Sequence, residues 1–127
     1  MNVNVMIVDD SKLARIVASK AVGELQPEWT KIEASSAAEA MELLKQNAVD
    51  VALIDFNMRE KDGLALAAEL RAAWPDMPMA IITANIQDEI VKRAREIGAA
   101  FVPKPVTADG LEAFLSGAAL TLRSKRA

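Results

Sequence analysis

The sequence predicts an α/β domain in which one parallel five-stranded sheet is covered by helices on both faces. Apolar runs of strand length alternate five times with longer segments of helical period, the rhythm of successive strand–helix units in a parallel sheet. Three of those runs are apolar almost throughout, as strands buried on both faces must be. The length of 127 residues suits one core of ordinary size and is too short for two.

The first strand is "VNVMIV", residues 3 to 8, and the helical stripe that follows it is Leu13, Ile16, Val17 and Ala21. The second strand is "TKIEA", residues 30 to 34, followed by a stripe of Ala37, Ala40, Met41 and Leu44. "VDVALID", residues 49 to 55, leads to Gly63, Leu66, Ala67, Leu70 and Trp74; "MAIIT", residues 79 to 83, leads to Ile86, Ile90, Ala94 and Ile97. A short fifth strand, "AFV" at 100 to 102, precedes Leu111, Phe114, Leu115, Ala118 and Leu122. Each stripe reads as core, because a helix laid on a sheet must bury one face. The expected unit is a single domain over 1 to 127, with its core in 3 to 122 and a short basic tail at 123 to 127.

Polarity sets the strand order. "TKIEA" alternates Lys31 and Glu33 with Ile32 and Ala34, so the second strand belongs at an edge. If it pairs with the first strand, the third must take the first strand's other side, giving the order 2-1-3-4-5. The winding then reverses between strands 1 and 3, and open α/β sheets form their sites beyond the strand carboxyl ends at that reversal.

Composition narrows the chemistry available there. With no cysteine and no histidine, disulfides, thiolates and the commonest metal ligand and general base are excluded. The net charge of −3 argues against a nucleic-acid footprint, which shows as a basic stripe. No stretch approaches the roughly 20 apolar residues that cross a bilayer, and the amino terminus carries no export pattern. The expected location is the cytoplasm, without membrane insertion.

Three carboxylates should meet at the reversal: Asp9 and Asp10 after strand 1, and Asp55 at the end of strand 3. Capping of the following helix, for which Ser11 is well placed, explains one acid at most. At an effective dielectric of about 20, each like-charged pair about 4 Å apart costs on the order of 4 kcal/mol, so the cluster needs cations. Oxygen-only ligation suits a hard divalent ion, and Mg²⁺ commonly takes one or two carboxylates together with a phosphate. Lys104, held between two prolines after strand 5, offers a second cation. Thr83 ends strand 4 and brings a hydroxyl to the same rim; taken alone, it also reads as an ordinary strand residue or a helix cap.

With the "VDDS" acid pair, the Asp of "LIDFNM", the Thr of "IITAN" and the lysine of "FVPKP" in this order, residues 3 to about 122 resemble the receiver domains of two-component response regulators, especially the single-domain chemotaxis type. The resemblance implies a flavodoxin-like (βα)5 three-layer sandwich. It implies that Asp55 accepts a phosphoryl group from a histidine kinase or histidine phosphotransfer protein. By the same comparison Asp10 and Asp55 ligate Mg²⁺ directly, Asp9 acts through water, and Asn57 contributes its backbone carbonyl. Thr83 and Lys104 would bind phosphoryl oxygens, and Lys104–Pro105 would be a cis peptide. A switch is implied as well, in which Thr83 is drawn to the phosphoryl group and Phe101 rotates inward, so that helix 4, strand 5 and helix 5 form the output face.

Some positions depart from the family pattern. Arg59 follows Met58 where proline is frequent, and Lys61 stands where an apolar residue is common, giving a more charged and less rigid loop into helix 3. Asn57 and Asn85 occupy positions that tune water access to the acyl phosphate. With no DNA-binding or catalytic domain after the receiver, output is expected through a protein partner, unless the chain is an excised fragment.

Two other readings compete. A Mg²⁺-dependent phosphatase with an aspartate nucleophile would place a D-x-D pattern on strand 1 and add a cap domain; here the acids are adjacent and the chain is short. Flavin capture would need phosphate-cradling Ser, Thr or Gly after strand 1, where this chain has two carboxylates.

Overall fold

The structure, a computed structural model, describes residues 2–84 and 87–126, without the side chains of residues 125 and 126. Among the described residues, ten elements follow in strict alternation: β1 (Asn4–Val8), α1 (Lys12–Leu25), β2 (Thr30–Ala34), α2 (Ala37–Gln46), β3 (Val51–Asp55), α3 (Gly63–Ala73), β4 (Met79–Thr83), α4 (Asp88–Glu96), β5 (Ala100–Pro103) and α5 (Ala108–Arg126). All neighbouring strands pair in parallel, in the order β2-β1-β3-β4-β5. The reversal of winding therefore falls between β1 and β3, as the polarity of "TKIEA" implied, and β2 lies at the edge with only Ala34 buried.

Alternation along each strand divides the core into two layers. Val5 and Ile7, Val51 and Leu53, and Ala80 and Ile82 face Ala18, Ala21 and Val22 of α1 and Leu111, Leu115 and Ala118 of α5. Met6 and Val8, Ala52 and Ile54, and Met79 and Ile81 face α2, α3 and α4 through Ala40, Leu44, Leu66, Leu70, Ile90 and Ala94. β1, β3 and β4 are almost wholly buried, which is why their sequences carry apolar residues at successive positions.

The first three helices begin where side chains can satisfy their free N–H groups. Ser11 caps α1, its hydroxyl accepting from Ala14 N; Ser36 caps α2; and Asp62 caps α3, its carboxylate accepting from Ala65 N at 2.8 Å. At the far end of α3, Arg71 donates to the carbonyls of Pro75, Met77, Ile97 and Gly98 at 2.8–3.0 Å. This clasp ties the α3–β4 turn to the end of α4, where Gly98 takes a φ of +69°.

Two stripes differ from expectation. Leu13, Ile16 and Val17 are not core: they are 71%, 51% and 40% exposed, and α1 buries Ala18, Ala21 and Val22 instead. The apolar period is present, but Leu13 and Val17 line an open groove beside the β5–α5 connection rather than meeting the sheet. Trp74 is likewise 36% exposed, because it caps α3 where the chain turns toward Pro75. β1 and β3 start one and two residues later than the apolar runs, and β5 includes Pro103. α5 extends into the basic tail as far as Arg126. Ile86 of the fourth stripe and Asn85 lie outside the described residues.

Candidate functional site

Because β1 and β3 are neighbours, their carboxyl ends deliver acids to one place. Asp9 directly follows β1 and is 5% exposed, Asp55 ends β3 at 2%, and Asp10 projects into solvent. One carboxylate oxygen from each of the three lies within 4.8 Å of the others. The Asp9 backbone is held by a hydrogen bond from its N–H to the Ala34 carbonyl, and its Oδ1 accepts from the Ser11 N–H at 2.9 Å.

Lys104 supplies the cation. Its Nζ stands 2.8 Å from Asp55 Oδ1 and 3.8 Å from Asp9 Oδ2. The Lys104 N–H donates to the Thr83 carbonyl at 3.0 Å, which fixes the lysine backbone against the end of β4. Lys104–Pro105 is cis, as the resemblance implied. The short approach to Oδ1 lacks the alignment of a hydrogen bond, and among the described residues that buried oxygen has no hydrogen-bond partner. Burial pushes the Asp55 carboxyl above the ordinary carboxylate range; the Lys104 ammonium opposes the rise, the Asp9 charge adds to it, and the Asn57 backbone N–H opposes it least. Burial also works against the Lys104 charge, yet Asp55, with help from Asp9 and Asp10, holds the ammonium above the usual lysine value.

Thr83, the last residue of β4, is completely buried, so it is a strand residue and does not cap α4, whose N-cap is Gln87. By the alternation of β4 it shares a face with Met79 and Ile81, and Ile81 is paired in register with Phe101 of β5. Phe101 packs, partly buried, against the same apolar layer as Ile81 and Ile90. Asn57 lies exposed in the loop after β3. Asp9, Asp10, Asp55 and Lys104 thus meet at the carboxyl end of the sheet, where Thr83 also ends its strand, while Phe101 lies beside the middle of β4. A depression of about 700 Å³ lies elsewhere, beside the amino ends of β4 and β5.

The chemistry of the donor set suits a hard divalent cation: three carboxylates, no nitrogen or sulfur, and a buried oxygen still able to accept.

Sequence reasoning passed over two residues here. Arg15, in the second turn of α1, donates from Nε to Glu33 Oε1 at 3.0 Å and from a terminal nitrogen to the Asp9 carbonyl at 2.7 Å. An arginine on a helix reads as solvated, and only the register pairing Ile7 with Glu33 brings its partner close. Gly63 falls in the helical stripe of α3, and only the fold brings the Asp55 carbonyl against its Cα. Lys61, in the same loop, pairs with Glu69 of α3.

The fold and this cleft define a class, the doubly wound α/β domain with an acidic, lysine-bearing site at its topological switch point. Residues 5–116 match the family model described as the response regulator receiver domain, and the chain belongs to that family of phosphorylation-based signalling domains. Among curated relatives, it is 32% identical over 124 residues to the sensor histidine kinase RcsC of Salmonella typhi, covering 97% of this chain and 13% of that protein. It is 31% identical over 108 residues to the transcriptional regulatory protein GlrR of Escherichia coli, covering 84% and 23%. The chain therefore spans only a small part of these relatives. Among solved structures, the chemotaxis protein CheY4 of Vibrio cholerae matches with a TM-score of 0.82 at 21% identity, covering 93% of this chain and 99% of that one, a likeness of fold. NtrX of Brucella abortus matches with a TM-score of 0.86 at 26% identity, covering 99% and 28%. Among the described residues, no helix is long and apolar enough to cross a membrane.

Proposed function

We propose that the chain is a single receiver unit working as a phosphorylation-activated switch, in which Asp55 accepts a phosphoryl group from a histidine kinase or histidine phosphotransfer protein. The observation that carries this reading is the placement of Asp55: a nearly inaccessible carboxylate at the switch point, with a lysine ammonium 2.8 Å away and two further acids beside it. A capping or surface acid needs none of that company.

A carboxylate and a phosphoryl group are both anionic, so transfer is limited by charge and positioning. Asp10 and Asp55 would hold Mg²⁺ directly, Asp9 through water, and the Asn57 carbonyl would complete the protein's share. When bound, Mg²⁺ supplies positive charge to the transferring oxygens. An Asp55 oxygen then forms the bond to phosphorus while the phosphorus–nitrogen bond of the donor phosphohistidine breaks, its electron pair leaving on the imidazole. Lys104, already at the Asp55 carboxylate, would turn to a phosphoryl oxygen, and the Thr83 hydroxyl would donate to another.

Thr83 and Phe101 share one face of the sheet, so a shift of Thr83 toward the phosphoryl group opens space on the side where Phe101 packs. Phe101 has no hydroxyl, and its inward state gains from burial alone. The α4, β5 and α5 face would thereby alter its affinity for a protein partner, with phosphate acting as the ligand of a two-state equilibrium. The test is incubation with acetyl phosphate and Mg²⁺, followed by mass analysis. The wild type should gain one base- and hydroxylamine-labile phosphoryl group and Asp55→Asn none. Equal labelling of Asp55→Asn would refute the role of Asp55.

A further inference from the structure

We infer that Arg15, oriented by Glu33, is a positioning residue for the acidic site, acting through the Asp9–Asp10 peptide; the inference rests on the receiver reading above. The Asp9 carbonyl belongs to the planar unit that joins the two acids, so its orientation governs ψ of Asp9 and φ of Asp10. The first sets where the Ser11 N–H that holds the Asp9 carboxylate lies, and the second sets where the Asp10 carboxylate is presented. Three bonds fix Asp9: its N–H to Ala34, its carbonyl to the Arg15 guanidinium at 2.7 Å, and its Oδ1 to the Ser11 N–H. Among the described residues, the guanidinium is what holds the carbonyl. Without it, the peptide plane is free to rotate, although β1 below and α1 beyond stay in place.

The clamp suits an arginine. Its side chain is only 15% exposed, and its planar fork reaches two acceptors in different elements, the Asp9 carbonyl and the Glu33 carboxylate of β2. Glu33 sets the plane of the fork. A lysine would keep the charge near the acids but has no rigid fork to span both acceptors.

The experiment measures Mg²⁺ affinity by calorimetry, exchange of the Ser11 amide by NMR, and the initial rate of labelling by acetyl phosphate. Removal of an outer partner of a metal ligand commonly weakens binding roughly 10-fold or more, and that loss is expected for Arg15→Met, with faster Ser11 exchange and slower labelling. Arg15→Lys should recover only part of the loss; full recovery would mean that charge, not positioning, is the agent, and would overturn the inference. If Arg15→Met does not fold, Glu33→Ala on the exposed edge strand reads the same clamp, and unchanged Mg²⁺ affinity in that variant would also overturn it. A wild type that neither binds Mg²⁺ nor becomes labelled would instead refute the receiver reading itself.

Discussion

The Cα of Gly63 lies so close behind Asp55 that a Cβ built on it would sit 2.3 Å from the Asp55 carbonyl oxygen. The Gly63 N–H also donates to the Phe56 carbonyl at 2.9 Å, so the start of α3 is pressed against the backbone that presents the phosphoacceptor. Neither backbone can yield cheaply, since Asp55 is in register with Ile82 in the middle of the sheet. Gly63→Ala should therefore cost about 1–3 kcal/mol, the range for overpacking a tight site. It should also slow labelling of Asp55, because the strain falls on the reacting residue. Urea melts and acetyl-phosphate kinetics check the two effects separately.

Asp55→Asn should raise the melting temperature of the metal-free protein by a few degrees. The folded state holds the Asp55 carboxyl above its ordinary range, chiefly through burial, so the charged form is the disfavoured one and a neutral amide of the same shape relieves it. The same variant should lose the stabilisation that added Mg²⁺ gives the wild type. Thermal melts with and without Mg²⁺ read both.

The pH dependence follows from the same residue. The folded state binds the Asp55 proton more tightly than the unfolded chain, whose carboxylate titrates near 3.8. Between that value and the raised folded one the folded protein carries more protons, so the Asp55 contribution to stability falls as pH rises through this window and is level above it. The difference between wild type and Asp55→Asn, in metal-free buffer from acidic to neutral pH, isolates it. Mg²⁺ reverses the sign: binding needs the carboxylate, so the stabilisation given by Mg²⁺ should grow as pH rises through the same window. Lys104 acts at the alkaline end. Its raised pKa gives a contribution fully present below 10.5 and lost as pH rises through the folded value.

Lys104→Met should separate metal binding from phosphoryl transfer. The ammonium at 2.8 Å from Asp55 competes electrostatically with a divalent ion for the same carboxylate. Its removal should tighten Mg²⁺ binding severalfold while slowing labelling, because one of the charges opposing the phosphoryl group is gone. Calorimetry and labelling kinetics should move in opposite directions.

Arg71→Ala tests the fold rather than the site. Four carbonyls would lose a charged donor at once, and the end of α4 would lose its tie to α3. With part of the network open to water, a loss of roughly 2–3 kcal/mol is expected, near the value of a single hydrogen bond to a charged group. Mg²⁺ affinity should be unchanged.

Much of this was legible in the sequence because buried parallel strands have few alternatives. "MIV", "VALI" and "AIIT" read as central and "TKIEA" as an edge, and from that order the meeting of Asp9, Asp10, Asp55 and Lys104 followed, with Thr83 ending the neighbouring strand. What escaped depended on how far each element reaches. Leu13, Ile16 and Val17 have the period of a buried stripe, but their part of α1 borders the groove instead of covering the sheet, and periodicity carries no information on where a helix lies along its strand. Arg15 and Glu33 are 18 positions apart and meet only through strand register. Gly63 shows its purpose only when the Asp55 carbonyl is seen against it.

The most direct test is a crystal structure grown with Mg²⁺ and beryllofluoride, a mimic of the phosphoryl group. The ion should be found about 2.0–2.1 Å from oxygens of Asp10 and Asp55, with beryllofluoride on Asp55 and Lys104 and Thr83 turned to its fluorines. Beryllofluoride on another residue, or an ion bound away from these acids, would contradict the account.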